Sequence, residues 1–404
     1  MRVLLLTQIV PYPPDSGPKI KTYNVLRYLT QRHEVHLVSF SRSPEEESGA
    51  RSLRRVCASV TTVPLRRSRV RDIAFFGRSM LRGRPFLIER DDSVAMRRAI
   101  ADLLGKHGFD AVHADQLSMA QFAVDLSVPL RILDEHNAVW TIVRRAATEA
   151  KWSIRRIPAE FEWRKLRRYE GEICRDFDLT TVVSRQDYAA LAEAAGADFR
   201  AEVIPIAVDT KQLAFLPRTP EARHIISIAT MFYPPNVEGV YWFARKVFPL
   251  IRRRSQQTHF LIVGSRPPAK VCRLARPGSH IGVTGYLVDL ESVLKQSAVM
   301  VVPVHSGSGM RVKILEAFAR GIPVVSTTIG IEGIDALPDV HLLVADSPDQ
   351  FARAVIRVLE EPQLARRLAE AARSFVGTHY DWRTALAGLD SVYQGHGEPV
   401  SLRP

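Results

Sequence analysis

Strand-length apolar runs, most of them followed by a segment of helical periodicity, recur along nearly all of this 404-residue chain. A strand that is apolar at almost every position has to be buried on both faces. Alternating such strands with amphipathic helices meets that demand through βαβ units around a parallel sheet. In the first half the runs are RVLLLTQ (2–8), EVHLVSF (34–40), DAVHA (110–114), RILDE (131–135), LTTVVS (179–184) and AEVIPI (201–206). The second half repeats the scheme with HIISIAT (224–230), HFLIVGS (259–265), HIGVTGY (280–286), VMVVPV (299–304), PVVST (323–327) and HLLVAD (341–346). The expected fold class is α/β, with two doubly wound Rossmann-like domains, and ligands of such sheets bind beyond the carboxyl ends of the strands. The length agrees, since one hydrophobic core seldom serves so long a chain. The stretch 206–224, with two prolines and no clear period, reads as the linker.

Composition excludes more than it assigns. Hydrophobic residues make up 46% and charged residues 25%, an ordinary globular balance. Cys57, Cys174 and Cys272 are odd in number and far apart, with no CxxC spacing, which argues against a disulfide framework and a zinc site and for a reducing compartment. The N-terminal apolar run ends at Pro11, Pro13 and Pro14 with no small-residue cleavage site, so it reads as a first strand. No run approaches the length of a spanning helix, and the expectation is a cytoplasmic protein, soluble or peripheral.

The net charge of +13 is uneven. Residues 51–98 hold thirteen Arg against Asp72, Glu89, Asp91 and Asp92. In RRSRVRDIAFFGRSMLRGRPF (66–86) the arginines alternate with Phe75, Phe76, Met80, Leu81 and Phe86, the pattern of a basic amphipathic segment on an anionic membrane surface. A solvated helix face would look the same. Nucleic acid is not expected, for no zinc-finger spacing or aromatic RNA-binding signature accompanies the charge.

The densest chemistry lies in HSGSGMRVKILEAFARGIPVV (305–325), read as strand end, turn, helix and next strand, with Gly321 as the helix stop. Gly307 and Gly309 would let the backbone approach a ligand at a helix N-terminus, where unpaired N–H groups and the helix dipole favour an anion. Arg311 and Lys313 are expected in the first turn, where cations are disfavoured unless an anion compensates them. That placement points to a phosphate. Glu316, one turn further on the same face, is suited to accept hydrogen bonds from ribose hydroxyls; alternatively it only pairs with Lys313. The stretch lacks the third glycine of GxGxxG and the GK[ST] ending of a P-loop.

GMRVKILEAFARGIPVVST resembles the donor-site helix of family 4 glycosyltransferases, and IATMFYPPNVEGVYWFARKVFPLI, FLIVGS, VTGYLVDLESVLKQSAVMVVPV and YDWRTALAGLDSVY fall in that family's order, so the resemblance covers nearly the whole chain. It implies a GT-B fold, two Rossmann-like domains facing a central cleft, with domains at 1–208 and 209–380 and a C-terminal helix, 381–404, crossing back to the first. It also implies a retaining glycosyltransferase that takes its sugar from a nucleotide-diphosphate donor, a UDP- or GDP-sugar, and needs no cofactor or metal. By the same resemblance Arg311 and Lys313 hold the donor diphosphate, Glu316 holds the ribose, and Gly285, Tyr286 and Leu287 lie near the nucleobase. Gly17, in PDSGPK after the first strand, corresponds to the family's glycine-bearing loop, though a plain turn explains it equally.

The sequence also departs from the family. Ser308 stands where the family has its first Glu, which leaves the sugar contact and the donor sugar open. The usual Arg and Lys are missing from TMFYPPNVEG, shifting phosphate charge onto Arg311 and Lys313. FDAVHADQLSMA resembles the HxH segment, with His113 kept and Asp115 in place of the second His; both are candidates for catalysis, against a purely structural His113. His136 and Asn137, in LDEHNAVW, are candidates for acceptor or sugar contact, with Glu135 a candidate partner of His136. Asp176 and Asp178 form a DxD that precedes a strand instead of following one and lacks other oxygen ligands, so it is not read as a metal site. Ser184 and Asp187 read as a helix cap.

The expected acceptor is a glycan or a lipid-linked glycan, as in surface polysaccharide synthesis. Two other readings stay open: a nucleotide-sugar epimerase of the same fold, and a catalytically degenerate sugar-nucleotide-binding scaffold.

Overall fold

The computed structural model describes residues 1–394 apart from 150–155, 197–198, 218, 220–221, 288 and 308. The chain divides into two compact units, Met1–Ile206 with Ala385 onward, and Ala207–Thr384. Part of the expected linker is therefore integral to the second unit. Val208 bridges to Asp381, Thr210 donates its hydroxyl to Asp381 Oδ2, and the Leu216 amide donates to the Arg320 carbonyl at 2.9 Å. Two prolines and no period signalled an irregular segment, but not whether it was packed.

The first unit is built on seven parallel strands: β1 (Arg2–Thr7), β2 (Glu34–Ser41), β3 (Ser59–Pro64), β4 (Ala111–Asp115), β5 (Leu130–Glu135), β6 (Leu179–Val182) and β7 (Ala201–Val203). Their order is β3-β2-β1-β4-β5-β6-β7. β3, SVTTVP, was not anticipated: it is an edge strand, largely half-buried, so it lacks the continuous apolar run that marks its neighbours. Leu4, Leu6, Val38, Val112, Leu133 and Val182 of the central strands join the buried core of this unit. The helix Gly388–Tyr393 belongs to it as well, seated beside β7.

The second unit has six parallel strands: β8 (His224–Ile228), β9 (His259–Val263), β10 (Ile281–Gly285), β11 (Ser297–Val302), β12 (Val324–Ser326) and β13 (Leu343–Val344), in the order β10-β9-β8-β11-β12-β13. Each sheet reverses its strand order once, between β1 and β4 and between β8 and β11. Beyond the carboxyl ends of those strand pairs the connecting loops part to opposite faces and leave a crevice. Both switch points fall where the sequence concentrates its polar residues.

Candidate functional site

In the second unit the turn after β11 and the loop after β8 close on one another. Gly307 has φ +88° and is buried; a Cβ built there would stand 2.8 Å from Tyr233 Oη and 3.6 Å from Arg311 Nη2. Gly309 has the same left-handed φ of +88°, and the Arg311 guanidinium Nη1 donates to its carbonyl. The helix that follows is Val312–Ala319, shorter than expected: Arg311 is its N-cap at φ −89°, ψ 86°, and Lys313 alone of the two cations lies in its first turn. Ser308 lies outside the described residues. Across the switch point, Gly239 on the helix Pro234–Trp242 lets that helix approach the carbonyl of Pro303, which any Cβ would meet at 2.2 Å.

Lys313 Nζ and Glu316 Oε2 are 2.7 Å apart and both side chains are partly exposed. The pairing anticipated as the plain alternative is therefore present, and it also presents an ammonium and a carboxylate together at the rim. Glu316 keeps an acceptor oxygen, Oε1, without a hydrogen-bond partner among the described residues. Gly285 closes β10 with φ +70°, and Tyr286 beyond it is 67% exposed with Leu287 half-buried. His305, three residues beyond β11, packs edge-on against Trp242 with centroids 4.3 Å apart, and burial lowers its imidazole below its ordinary pKa against the opposing pull of Asp346.

In the first unit the parallel register sets Asp115 of β4 beside Asp134 of β5, and Asp134 beside Thr181 of β6. Side chains alternate along a strand, so His113 and Asp115 share a face with Asp134 and, just past β5, His136. The helix Gly17–Thr30, opened by Gly17, lays Lys21 and Thr22 on that face. Lys21 Nζ pairs with Asp134 Oδ1, which also accepts from Thr181 Oγ1 at 2.6 Å. Thr22 Oγ1 donates to Asp115 at 3.0 Å, and His136 Nε2 lies 2.9 Å from Asp115 Oδ1. His113 has Nδ1 2.8 Å from Tyr393 Oη and Nε2 3.5 Å from Asp134 Oδ2. Burial alone would push the Asp134 carboxyl up; Lys21, with His113 and His136, more than reverses this and holds it well below the usual carboxylate range.

Two expectations need correcting. His113 and Asp115 expose no surface, so neither is placed to touch a substrate itself; His136 retains 7% exposure and Asn137 beside it is half-buried. Glu135 is not the partner of His136. It points to the opposite face of the sheet, where Glu170 and Asp187 lie, and burial followed by the Glu170 charge raises its carboxyl well above the ordinary range. Lys21, Asp134, Thr22, Thr181 and Tyr393 were not singled out from the sequence. The available signal was the two-residue spacing of Asp134 and His136 at a strand end.

Asp178 is held by Arg131, whose amide donates to its Oδ2 at 2.7 Å, which accounts for it without a metal; Ser184 caps its helix through the Asp187 amide as expected. Among the described residues the one group of ligand types close enough to share an ion is Asp115, Asp134 and His136, with donor atoms within 4.8 Å of one another. Lys21, Thr22 and Thr181 already neutralise or bond its carboxylates.

Residues 17–212 match the family model described as Glycosyltransferase Family 4, and residues 222–361 the model described as Glycosyl transferases group 1. The chain belongs to the family 4 glycosyltransferases. This glycosyltransferase is 19% identical over 400 residues to an uncharacterized 44.6 kDa protein in the cps region of Klebsiella pneumoniae, covering 96% of the chain and 98% of that protein. It is 25% identical over 315 residues, 74% of the chain and 73% of its relative, to the MMP alpha-(1->4)-mannosyltransferase of Mycolicibacterium hassiacum. The crystal structure of Anabaena HepE in complex with UDP-glucose superposes with a TM-score of 0.69 at 13% identity, covering 98% of this chain and 99% of that one, and shows the shared GT-B fold.

Proposed function

We propose that this glycosyltransferase moves a sugar, with retention at the anomeric carbon, from a nucleoside-diphosphate sugar bound at the β8/β11 switch point to a glycan or lipid-linked acceptor in surface polysaccharide synthesis. One observation carries the donor half. Arg311 and Lys313 stand with two left-handed glycines at the carboxyl ends of the strands where the second sheet reverses. β10 is three strands from β11, roughly 14 Å at the usual interstrand spacing. A nucleoside diphosphate with its phosphates on the 307–313 turn spans that distance to bring its base to Gly285, Tyr286 and Leu287, with Glu316 on the ribose.

Cleavage of the anomeric bond leaves negative charge on the departing diphosphate. Fixed cations and the amides of Gly307 and Gly309 stabilise that charge without moving a proton, a contribution on the order of several kcal/mol. In the first unit His136 is the side chain offered to acceptor or sugar, and Asp115 positions it by accepting from Nε2. Asp115 thus acts through an imidazole drawn from the next strand. The Klebsiella relative from a cps region supports the polysaccharide setting, and the UDP-glucose of HepE supports a UDP-sugar donor.

The acceptor side is proposed to work at an anionic membrane surface. No helix among the described residues is long and apolar enough to cross a membrane. The helix Arg69–Arg82, however, turns its apolar stripe outward: Val70, Ile73, Met80 and Leu81 are 56–90% exposed. Its inner side is polar, with Arg78 ion-paired to Glu89 at 2.9 Å and Ser79 fixed by the Arg84 carbonyl and Lys165. Exposed apolar side chains beside Arg66, Arg69 and Arg82 suit a negatively charged lipid layer.

Calorimetric titration of the full chain with UDP, GDP and their sugars, with Arg311→Ala/Lys313→Ala in parallel, tests the donor site. The expected result is binding of one nucleotide series by the wild type and about 100-fold loss in the double variant with an unchanged melting temperature. Equal affinity in both proteins defeats the assignment.

A further inference from the structure

A second basic site lies in the same unit as the donor turn but on a different part of it. The helices Pro234–Trp242 and Phe248–Arg254 are joined through the π-helical turn Phe243–Val247, and Tyr241, Arg245 and Arg252 face one cavity of about 750 Å³. Its other wall is the segment that carries Lys270, Arg273 and Arg276, and its floor is apolar, with Phe248 and Leu274 buried. Five cations thus border one concavity, and none of its lining residues is a carboxylate. None of the five makes an ion pair among the described residues, although surface cations elsewhere, such as Arg254 with Glu360, do. Arg252 Nη1 is buried without a hydrogen-bond partner among the described residues. Lys270 Nζ lies over the Tyr241 ring at 6.0 Å.

Like charges gathered around a concavity repel one another and raise the local concentration of anions. The cavity is not an extension of the donor turn. Ile281, the first residue of β10, lines it, whereas the proposed base contacts begin at Gly285, the last residue of that strand. Four strand steps, roughly 13 Å, separate the two ends. The cavity is open, of a size that admits a few sugar residues, and Tyr241 provides an aromatic wall against which a sugar ring packs.

We propose that this groove binds an anionic saccharide segment, sugar residues bearing carboxylate or phosphate groups, as a holding site separate from the donor site. The anionic part of the assignment stands on the five cations alone; the saccharide part rests on the glycosyltransferase reading. A polymer bound here would keep an acidic glycan on the enzyme between transfers.

The test is calorimetric titration of the full chain with hexagalacturonate, neutral maltohexaose, inorganic pyrophosphate and a six-residue oligothymidylate, repeated with Arg252→Glu/Arg273→Glu. Hexagalacturonate is expected to bind the wild type, to weaken as salt rises, and to lose about tenfold or more in the variant, whereas maltohexaose does not bind. UDP or GDP titration reports separately on the donor turn and is expected to be the same in both proteins. That control distinguishes a misfolded variant from a lost groove, and failure here from failure of the donor assignment. The inference is overturned if hexagalacturonate does not bind, if it binds both proteins alike, if maltohexaose binds equally well, if pyrophosphate alone binds, or if the oligothymidylate binds more tightly than hexagalacturonate.

Discussion

Lys21 Nζ sits against Asp134 Oδ1 in the interior of the first unit, with side-chain exposures of 1% and 3%. The pair anchors a face on which two histidines and the hydroxyls of Thr22, Thr181 and Tyr393 are arranged, so its loss would be felt beyond one contact.

Replacing Lys21 by Met leaves the Asp134 carboxylate buried with only hydroxyl and imidazole neighbours. The expected cost is about 3–5 kcal/mol of unfolding free energy, read from urea titration. Changing both residues together, Lys21→Met with Asp134→Leu, is expected to cost less than the sum of the single changes, because no orphaned charge remains. Additive losses would show that the ion pair is not the unit that matters.

Glu170 gives the first unit a pH dependence of definite sign. Its carboxyl is pushed up to about 8 by burial, opposed by the amides of Trp140 and Val139, which donate to it at 2.7 and 2.6 Å. Glu135 is raised in the same direction. A carboxyl that titrates higher in the folded than in the unfolded chain contributes stability that is fully present below the unfolded value, about 4.3, and is lost as pH rises through about 8. Melting temperature should therefore fall from pH 5 to pH 8.5 in the wild type and fall less in Glu170→Gln. Parallel curves for the two proteins would contradict this.

Gly307→Ala tests the donor turn without altering a charge. The left-handed φ of +88° strains any residue with a Cβ, by about 1–2 kcal/mol, and the added carbon would meet Tyr233 Oη at 2.8 Å. Weaker nucleotide binding and a melting temperature lower by a few degrees are expected. Adding Tyr233→Phe should restore part of the loss, since it removes the oxygen but not the strain.

For the outward-facing helix Arg69–Arg82, co-flotation with phosphatidylglycerol vesicles is expected, with little attachment to phosphatidylcholine vesicles. Ile73→Glu/Leu81→Glu should abolish it while leaving nucleotide titration unchanged. Flotation that survives those charges would place the membrane contact elsewhere.

Both parallel sheets, all strands but the half-buried β3, and the concentration of Gly307, Gly309, Arg311, Lys313 and Glu316 after one strand could be read from the order of residues. These features are local: apolar runs report double-sided burial, and a glycine-rich turn before a helix reports its own chemistry. Tertiary structure decided the rest, because it depended on which strands became neighbours. Register put Asp115 beside Asp134 and sent Glu135 to the other face, and it took Lys21, over a hundred residues earlier in the chain, to neutralise Asp134. The same holds for the direction of the basic helix. Its amphipathic pattern was plain in the sequence, but only the anchoring of Arg78 and Ser79 on its polar side determined that the apolar side faces outward. Periodicity records which residues share a face, and packing alone selects what that face meets.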